Sequence, residues 1–363
     1  MPYFPLTELS LRMNNYTALL VKGVIALSAF VLSFDATAVA ASDSTATPKQ
    51  AAQLLVTMRY EPERNFKDTT GTFSFFQSRI DAAVPLYAWA GSGNLINSIG
   101  LNIGLRYTVP EVSILQRQHD VYTVNPGFNY TRYKPNRYLW MNTFGTGFAD
   151  DNYTVDNPNI RFLVSTLYEN FKQDNFKWRA GVVVALVNKK LIPVPLLGAN
   201  IKAGKHVRLF AGYPFNTRMT YKFSDEFQLY FSLKRRNEAY RIATYNEAIP
   251  NTTASVLLSK IEFPMTIGFK KTIAKQLYFS LEAGPVAARR MYFVNRDENI
   301  SMIARIRKTL PLSLWIKRGP YFEASLRYEF GKNKKSADNS QSARILQILD
   351  PNDADIEDIL EQH

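Results

Sequence analysis

The chain has 363 residues, no Cys, 46% apolar residues and a formal charge of +13, with a mean hydropathy of -0.19. Without Cys there are no disulfides, no thiol chemistry and no Cys-ligated metal. The average is too polar for a helical membrane protein, yet apolar enough for a large core or a lipid-facing belt.

The N-terminus has the layout of a secretion signal over residues 1–40, with Met13 an alternative start. Lys22 supplies a weak basic region, residues 23–34 an apolar run, and Ala38-Val39-Ala40 a small-x-small cleavage site before Ala41. That run is shorter than the roughly 20 residues of a spanning helix. No Cys follows it, which excludes a lipoprotein. Residues 41–50 form a small, polar linker.

From residue 51 onward, segments of period two recur. Leu54, Val56, Met58 and Tyr60 oppose Gln53, Thr57 and Arg59. Ile99, Leu101, Ile103 and Leu105 oppose Gly100, Asn102, Gly104 and Arg106. Met219 and Tyr221 alternate with Arg218 and Lys222, Leu229 and Phe231 with Tyr230 and Ser232. Met265 and Ile267 alternate with Thr266 and Gly268, Phe279 and Leu281 with Ser280 and Glu282. Weaker candidates lie near 72–86, 119–132, 136–149, 159–171, 175–189, 195–204, 206–213 and 238–246. Tyr133-Lys134-Pro135-Asn136 and Ser224-Asp225-Glu226 are short turn signals, whereas 61–71 and 150–158 are longer connections. No period can be assigned to 296–320. The last strand, 321–330, alternates without error: Phe322, Ala324, Leu326, Tyr328 and Phe330 against Tyr321, Glu323, Ser325, Arg327 and Glu329.

The acids then concentrate. Residues 336–363 hold seven Asp and Glu against Arg344 alone, a charge of -6 that leaves +19 on the rest. The body is basic and the tail acidic. In an exported chain a basic body suits an anion pathway or an anionic lipid surface better than nucleic acid.

Apolar-out strands with Arg, Lys, Gln and Asn inward, and aromatics near strand ends, describe a sheet closed on itself in lipid. The expected fold is all-β: an antiparallel transmembrane β-barrel of about 12 to 14 strands, with 16 as the upper count. It spans residues 51–331 and is followed by an acidic periplasmic tail, 332–363. Gly212-Tyr213-Pro214 before the strand to Phe223, Ser224-Asp225 before Phe227, Arg289-Arg290 before Met291-Tyr292-Phe293, and the closing strand carry a resemblance. The chain resembles an uncharacterised bacterial outer-membrane β-barrel family of the domain-of-unknown-function kind. The resemblance implies the barrel over 51–330 and a Gram-negative outer-membrane location, and carries no activity.

The three His residues, His119, His206 and His363, fit no metal or nucleophile spacing, and His119 and His206 read as polar loop or strand-end residues. No catalytic residue, metal ligand or cofactor is expected. The candidate site is a set of inward cations: Arg59, Arg106, Lys202, Arg208, Arg218, Lys222, Lys234, Lys270 and Arg327. They draw anions through a lumen, or pair with Asp81, Glu169, Glu262, Glu282, Glu323 and Glu329 inside a filled one. Lys189-Lys190, Lys234-Arg235-Arg236 and Arg289-Arg290 read as exposed clusters for lipopolysaccharide. Tyr328 and Phe330 are the candidate signal for the barrel-assembly machinery. The expected function is a non-enzymatic barrel passing or binding small polar or anionic solutes. The alternative is a filled barrel whose loops or acidic tail dock a periplasmic partner. A hydrolase is a distant third.

Overall fold

The computed structural model describes residues 52–115, 118–151, 159–173, 175–187, 190–213, 216–243, 255–295 and 312–330. The expected signal peptide, the linker, the acidic tail and Lys189 lie outside the described residues. Sixteen strands follow one another: β1 Gln53–Asn65, β2 Thr72–Gly91, β3 Leu95–Val112, β4 Val121–Lys134, β5 Tyr138–Asp151, β6 Asn159–Asn170, β7 Phe176–Val187 and β8 Lys190–Ala203. Then come β9 Val207–Tyr213, β10 Asn216–Lys222, β11 Phe227–Lys234, β12 Arg236–Ala243, β13 Ser255–Ala274, β14 Leu277–Asn295, β15 Leu312–Trp315 and β16 Pro320–Glu329.

Fourteen of them close into one antiparallel ring. β1 to β11 neighbour each other in chain order, β11 passes to β13, β13 to β14, β14 to β16, and β16 pairs back onto β1. Where all fourteen strands pair, closure leaves the ring no free edge, the condition for a sheet in hydrocarbon.

The two remaining strands continue ring strands. β11 and β12 follow β13 in a single register, with Leu233 opposite Met265 and Arg236 opposite Glu262. The ladder lapses between them, opposite Pro264, which has no N–H to give. β15 and β16 likewise follow β14 in one register, Trp315 opposite Arg290 and Pro320 opposite Pro285. The short β15 falls in the stretch where the sequence offers no period.

Both barrel ends of the chain, Gln53 and Glu329, face each other across β1 and β16. At that terminal end the turns are short, running over 92–94, 135–137, 171–175, 204–206, 223–226 and 275–276. Asn94 and Asn136 take left-handed φ of 60° and 55° there, which Asn tolerates better than most residues. The longest connections lie at the far end.

The outer face is a belt of apolar side chains, including Phe128, Phe144, Val164, Leu197, Met219 and Phe231, all exposed. Ile267 is 61% exposed on β13, between Phe231 and Ala283 of the neighbouring strands. Ile267→Arg is expected to lower stability by about 2–4 kcal/mol, as a cation near the bilayer midplane does. Urea unfolding of protein refolded into vesicles measures it; an unchanged midpoint would place Ile267 outside the hydrocarbon.

The wall is uneven. β9 and β10 have seven residues each, and β9 reaches only as far as Leu197 of β8. Above them β12 has β13 on one side and packs across onto β5 on the other. It therefore lies inside the outline of the ring, and all of its residues but Arg241 are buried. Tyr240 and Ile242 join Phe73, Phe75, Val121, Leu258, Met291 and Phe293 in an apolar cluster filling the far half of the lumen.

Candidate functional site

The inner face is polar, and its charges fall into two zones. The far zone lies directly under the apolar cluster and is neutral. Arg59 from β1, Lys260 from β13 and Arg289 from β14 meet Glu61 from β1, Glu238 from β12 and Glu262 from β13, all buried. Arg59 Nη2 is 2.8 Å from Glu61 and 2.7 Å from Glu262, and its other terminal nitrogen pairs with Glu238. Lys260 Nζ stands 2.8 Å from Glu61 and 3.3 Å from Glu262. Arg289 Nη2 lies 2.7 Å from Glu61. Phe75 floors the cluster, with the Lys260 ammonium 3.6 Å and the Arg59 guanidinium 4.5 Å from its ring centroid. Tyr240 Oη donates to Glu238 at 2.8 Å, which ties the apolar plug to the ionic layer.

A second layer joins the zones. Arg236 at the start of β12 reaches Glu323 at 2.9 Å and Glu282 at 3.6 Å, and Lys234 shares Glu282 at 3.6 Å. Lys234, Glu282 and Glu323 are also the inner lining of a cavity of about 420 Å³. This vestibule runs toward the terminal end, where Lys202 and Arg208 are exposed. Eight cations line it against three carboxylates, Glu169, Glu282 and Glu323. Two of those three already face Lys234 and Arg236. The zone carries a clear surplus of positive charge, which a narrow low-dielectric cavity focuses.

Several vestibule cations lie over aromatic rings. Arg179 sits 4.2 Å over Phe210, Arg218 4.8 Å over Tyr230, and Arg327 4.8 Å over Tyr278. A ring face beneath a guanidinium adds a cation–π attraction that holds the side chain in place.

Of the nine expected cations, Lys202, Arg208, Arg218, Lys234, Lys270 and Arg327 line this one cavity. Arg59 belongs to the far ionic layer. Arg106 is buried on β3 opposite Arg79, whose own guanidinium pairs with Asp81 at 2.7 Å. Lys222 lies at the terminal end of β10 and bonds Asp225 of the turn, which holds that carboxyl below its ordinary range through the hydrogen bond and the charge. Lys177 and Arg179 also line the vestibule. Their signal is the alternation with outward Phe176 and Trp178, visible once β7 is in register.

Two basic clusters expected outside are divided between the faces. Lys234, Arg236 and Arg289 are buried, because the β11–β12 strand turns into the lumen at Pro264 and Arg289 faces inward from β14. Arg290 does face the side of Trp315, 5.1 Å from its ring. His119 lies in the loop before β4, as expected, and is wholly buried. Its Nδ1 lies 2.7 Å from the Asp151 carboxylate, which also accepts the Ala243 amide at 3.0 Å and so fastens the end of β12. His206 Nδ1 meets the Lys222 carbonyl at 2.8 Å. Tyr328 is outward as expected, whereas Phe330, just past β16, is buried and packs edge-on to Tyr328 at 4.6 Å.

A family model described as a domain of unknown function (DUF6268) matches residues 48–329. No curated protein matches the chain. Solved structures similar to it include the β domain of the Bordetella autotransporter BrkA, 12% identical, with 78% of this chain and 100% of that one covered and a TM-score of 0.31. Another is the translocator domain of the autotransporter NalP from Neisseria meningitidis, at 8% identity, coverage of 88% and 98%, and a TM-score of 0.33. An outer-membrane channel from Pseudomonas putida F1 is 7% identical, with coverage of 80% and 98% and a TM-score of 0.35.

Proposed function

The chain belongs to the DUF6268 family, a domain of unknown function, and from that premise we propose a non-enzymatic outer-membrane barrel that binds small anionic solutes in the basic vestibule and passes them when the far-end plug moves. One observation carries this reading: a lumen cavity of about 420 Å³ whose lining has eight cations and three carboxylates. That size holds one small molecule. Short turns at the terminal end support a periplasmic position for the vestibule, as in the usual barrel orientation.

A second reading has its own support. The neutral ionic layer and the buried β12 describe a lumen that is filled and closed at rest, as in a barrel whose role is to dock a partner. Solute binding separates the two.

Equilibrium dialysis of the full chain with citrate at low salt tests it. Lys202→Glu with Arg208→Glu, both exposed at the mouth, is expected to weaken citrate binding at least about tenfold, or about 1.4 kcal/mol. Binding that neither falls in that variant nor weakens with salt sinks the vestibule as an anion site.

A further inference from the structure

We propose that the far rim of the barrel carries, on its outer face, a binding site for the phosphates of lipopolysaccharide, built from Arg290, Lys67 and Lys317 around Trp315. The site is independent of the vestibule, which opens at the other end.

The fold turns these four side chains outward. Met291 and Leu314 pair with each other and belong to the apolar cluster in the lumen, so the next pair along, Arg290 with Trp315, points the other way. Phe66 and Ile316 form a bridge and join the same cluster. Their neighbours Lys67, Trp315 and Lys317 therefore face out, since successive residues alternate. The Lys67 amide donates to the Trp315 carbonyl at 2.7 Å, and the Lys317 amide to the Asn65 carbonyl at 3.0 Å. Lys67, Trp315 and Lys317 are exposed and Arg290 is half-buried.

Height sets what meets them. Leu277 of β14 stands opposite Tyr328 at the terminal end of the belt, and Arg290 lies thirteen residues further along the strand, past a bulge. That is about 40 Å along the strand, and about 30 Å along the axis of a barrel whose strands tilt by about 40°. The apolar band of such barrels is about 25 Å tall. The row of Arg290 and Trp315 thus falls in the headgroup layer just above the hydrocarbon, where Trp is enriched. In the usual orientation the end with long connections faces out, so this layer belongs to the outer leaflet.

The chemistry suits a phosphate. Arg290 Nε donates to Ser313 Oγ at 2.7 Å, and the guanidinium carbon lies 4.7 Å from the Tyr292 ring centroid and 5.1 Å from that of Trp315. The Lys67 ammonium is 5.7 Å from the same Trp315 ring. Arg318 is exposed beside Lys317. Arg289, one residue earlier and facing in, pairs with Glu61 and Glu262. On the outer face no carboxylate among the described residues forms an ion pair with Arg290, Lys67 or Lys317. Asp68 accepts the Trp315 amide at 3.3 Å, and Glu63 is exposed on the same stretch of chain. A guanidinium can take two oxygens of one phosphate, while the ammonium groups act as point charges.

Titration of the detergent-solubilised full chain with lipopolysaccharide, and with the same lipid stripped of its phosphates, tests it. At low salt the native chain is expected to bind the phosphorylated form at least about tenfold more tightly, because each cation beside an anionic lipid surface adds to the attraction. Arg290→Gln with Lys67→Gln and Lys317→Gln should bind both forms alike. Lys172→Gln with Lys205→Gln, exposed at the terminal end, should keep the native preference. Unheated gel mobility establishes that each variant is folded. Arg290→Lys keeps the charge but loses the two-oxygen fit, and should lower the preference about threefold. A native chain without the preference, a folded triple variant that keeps it, or a terminal-end variant that loses it overturns the proposal. An Arg290→Lys chain as selective as the native one removes Arg290 from the site. Millimolar inorganic phosphate should leave the preference in place, and its loss there would assign the site to free phosphate instead of the lipid.

Discussion

Glu61→Gln is expected to destabilise the folded barrel by about 3–5 kcal/mol, the cost of leaving buried charge uncompensated. Glu61 is wholly buried and lies within 2.8 Å of three cations, Arg59, Lys260 and Arg289. The amide preserves shape and some hydrogen bonding but turns a neutral layer of six charges into one with an excess cation. The excess is shared among groups that water does not reach. Adding Lys260→Met removes one cation and restores neutrality, so the double variant should be more stable than Glu61→Gln alone. Urea unfolding of vesicle-inserted protein gives all corners of this cycle, and coupling between contacting residues of this kind runs at about 0.5–3 kcal/mol. A double variant no better than the single one would mean that the layer holds by packing and not by balance of charge.

Much of the wall was legible in the sequence, and the reason is physical. Where one face meets lipid and the other a polar lumen, side chains must alternate. Met219 and Tyr221 face out from β10 while Arg218 and Thr220 face in, and β11 and β16 behave the same way. The vestibule cations lie on such strands, which is why six of the nine converge. Alternation fails where the lumen is full. Val256, Leu258, Met291 and Phe293 point inward yet are apolar, because they pack on β12 and its neighbours. The far halves of β13 and β14 therefore carry no clean period, and the alternation around Met265 and Leu281 covers only their near halves, although the strands begin at Ser255 and run to Asn295. β12 is buried on both faces and offers only the weak period near 238–246.

The pairing of charges was out of reach for another reason. Lys260 and Glu61 are 199 residues apart in sequence. Nothing local says that β13 and β1 approach across the lumen, since between them the ring places β14 and β16. Glu238 was hidden twice over, on a strand with only a weak period and behind a basic run, 234–236, that resembles a surface cluster. The proline at 264 is the local cause of that misreading: it interrupts the ladder and lets the strand continue inward.

Ile242→Asp should release the plug without dissolving the barrel. Ile242 is wholly buried in the apolar cluster, beside Val256, Leu258 and Phe293. A carboxylate there, two turns of the pleat from Glu238 on the same face, has no cation in the cluster to meet. Its effective desolvation penalty is several kcal/mol. β12 can relieve the penalty at modest cost, because its only ladder is with Ser255–Glu262 stretches of β13, and its other side is held by packing on β5 and the Asp151 contact. The ring below Met265 does not depend on it, since β11 keeps its own seven pairs with β13. Planar-bilayer recording should thus find the native chain closed for most of the record and Ile242→Asp stepping to discrete open levels, with Ile242→Val as closed as the native chain. The unheated gel mobility and strand signal of a folded barrel must persist in the variant for this to count. A folded Ile242→Asp chain that stays closed would assign the block to the ionic layer beneath, where Arg59, Lys260 and Arg289 meet Glu61 and Glu262 from β1, β13 and β14. That outcome would make the barrel a closed scaffold with a basic cup at one end, and would move the function from passage to capture.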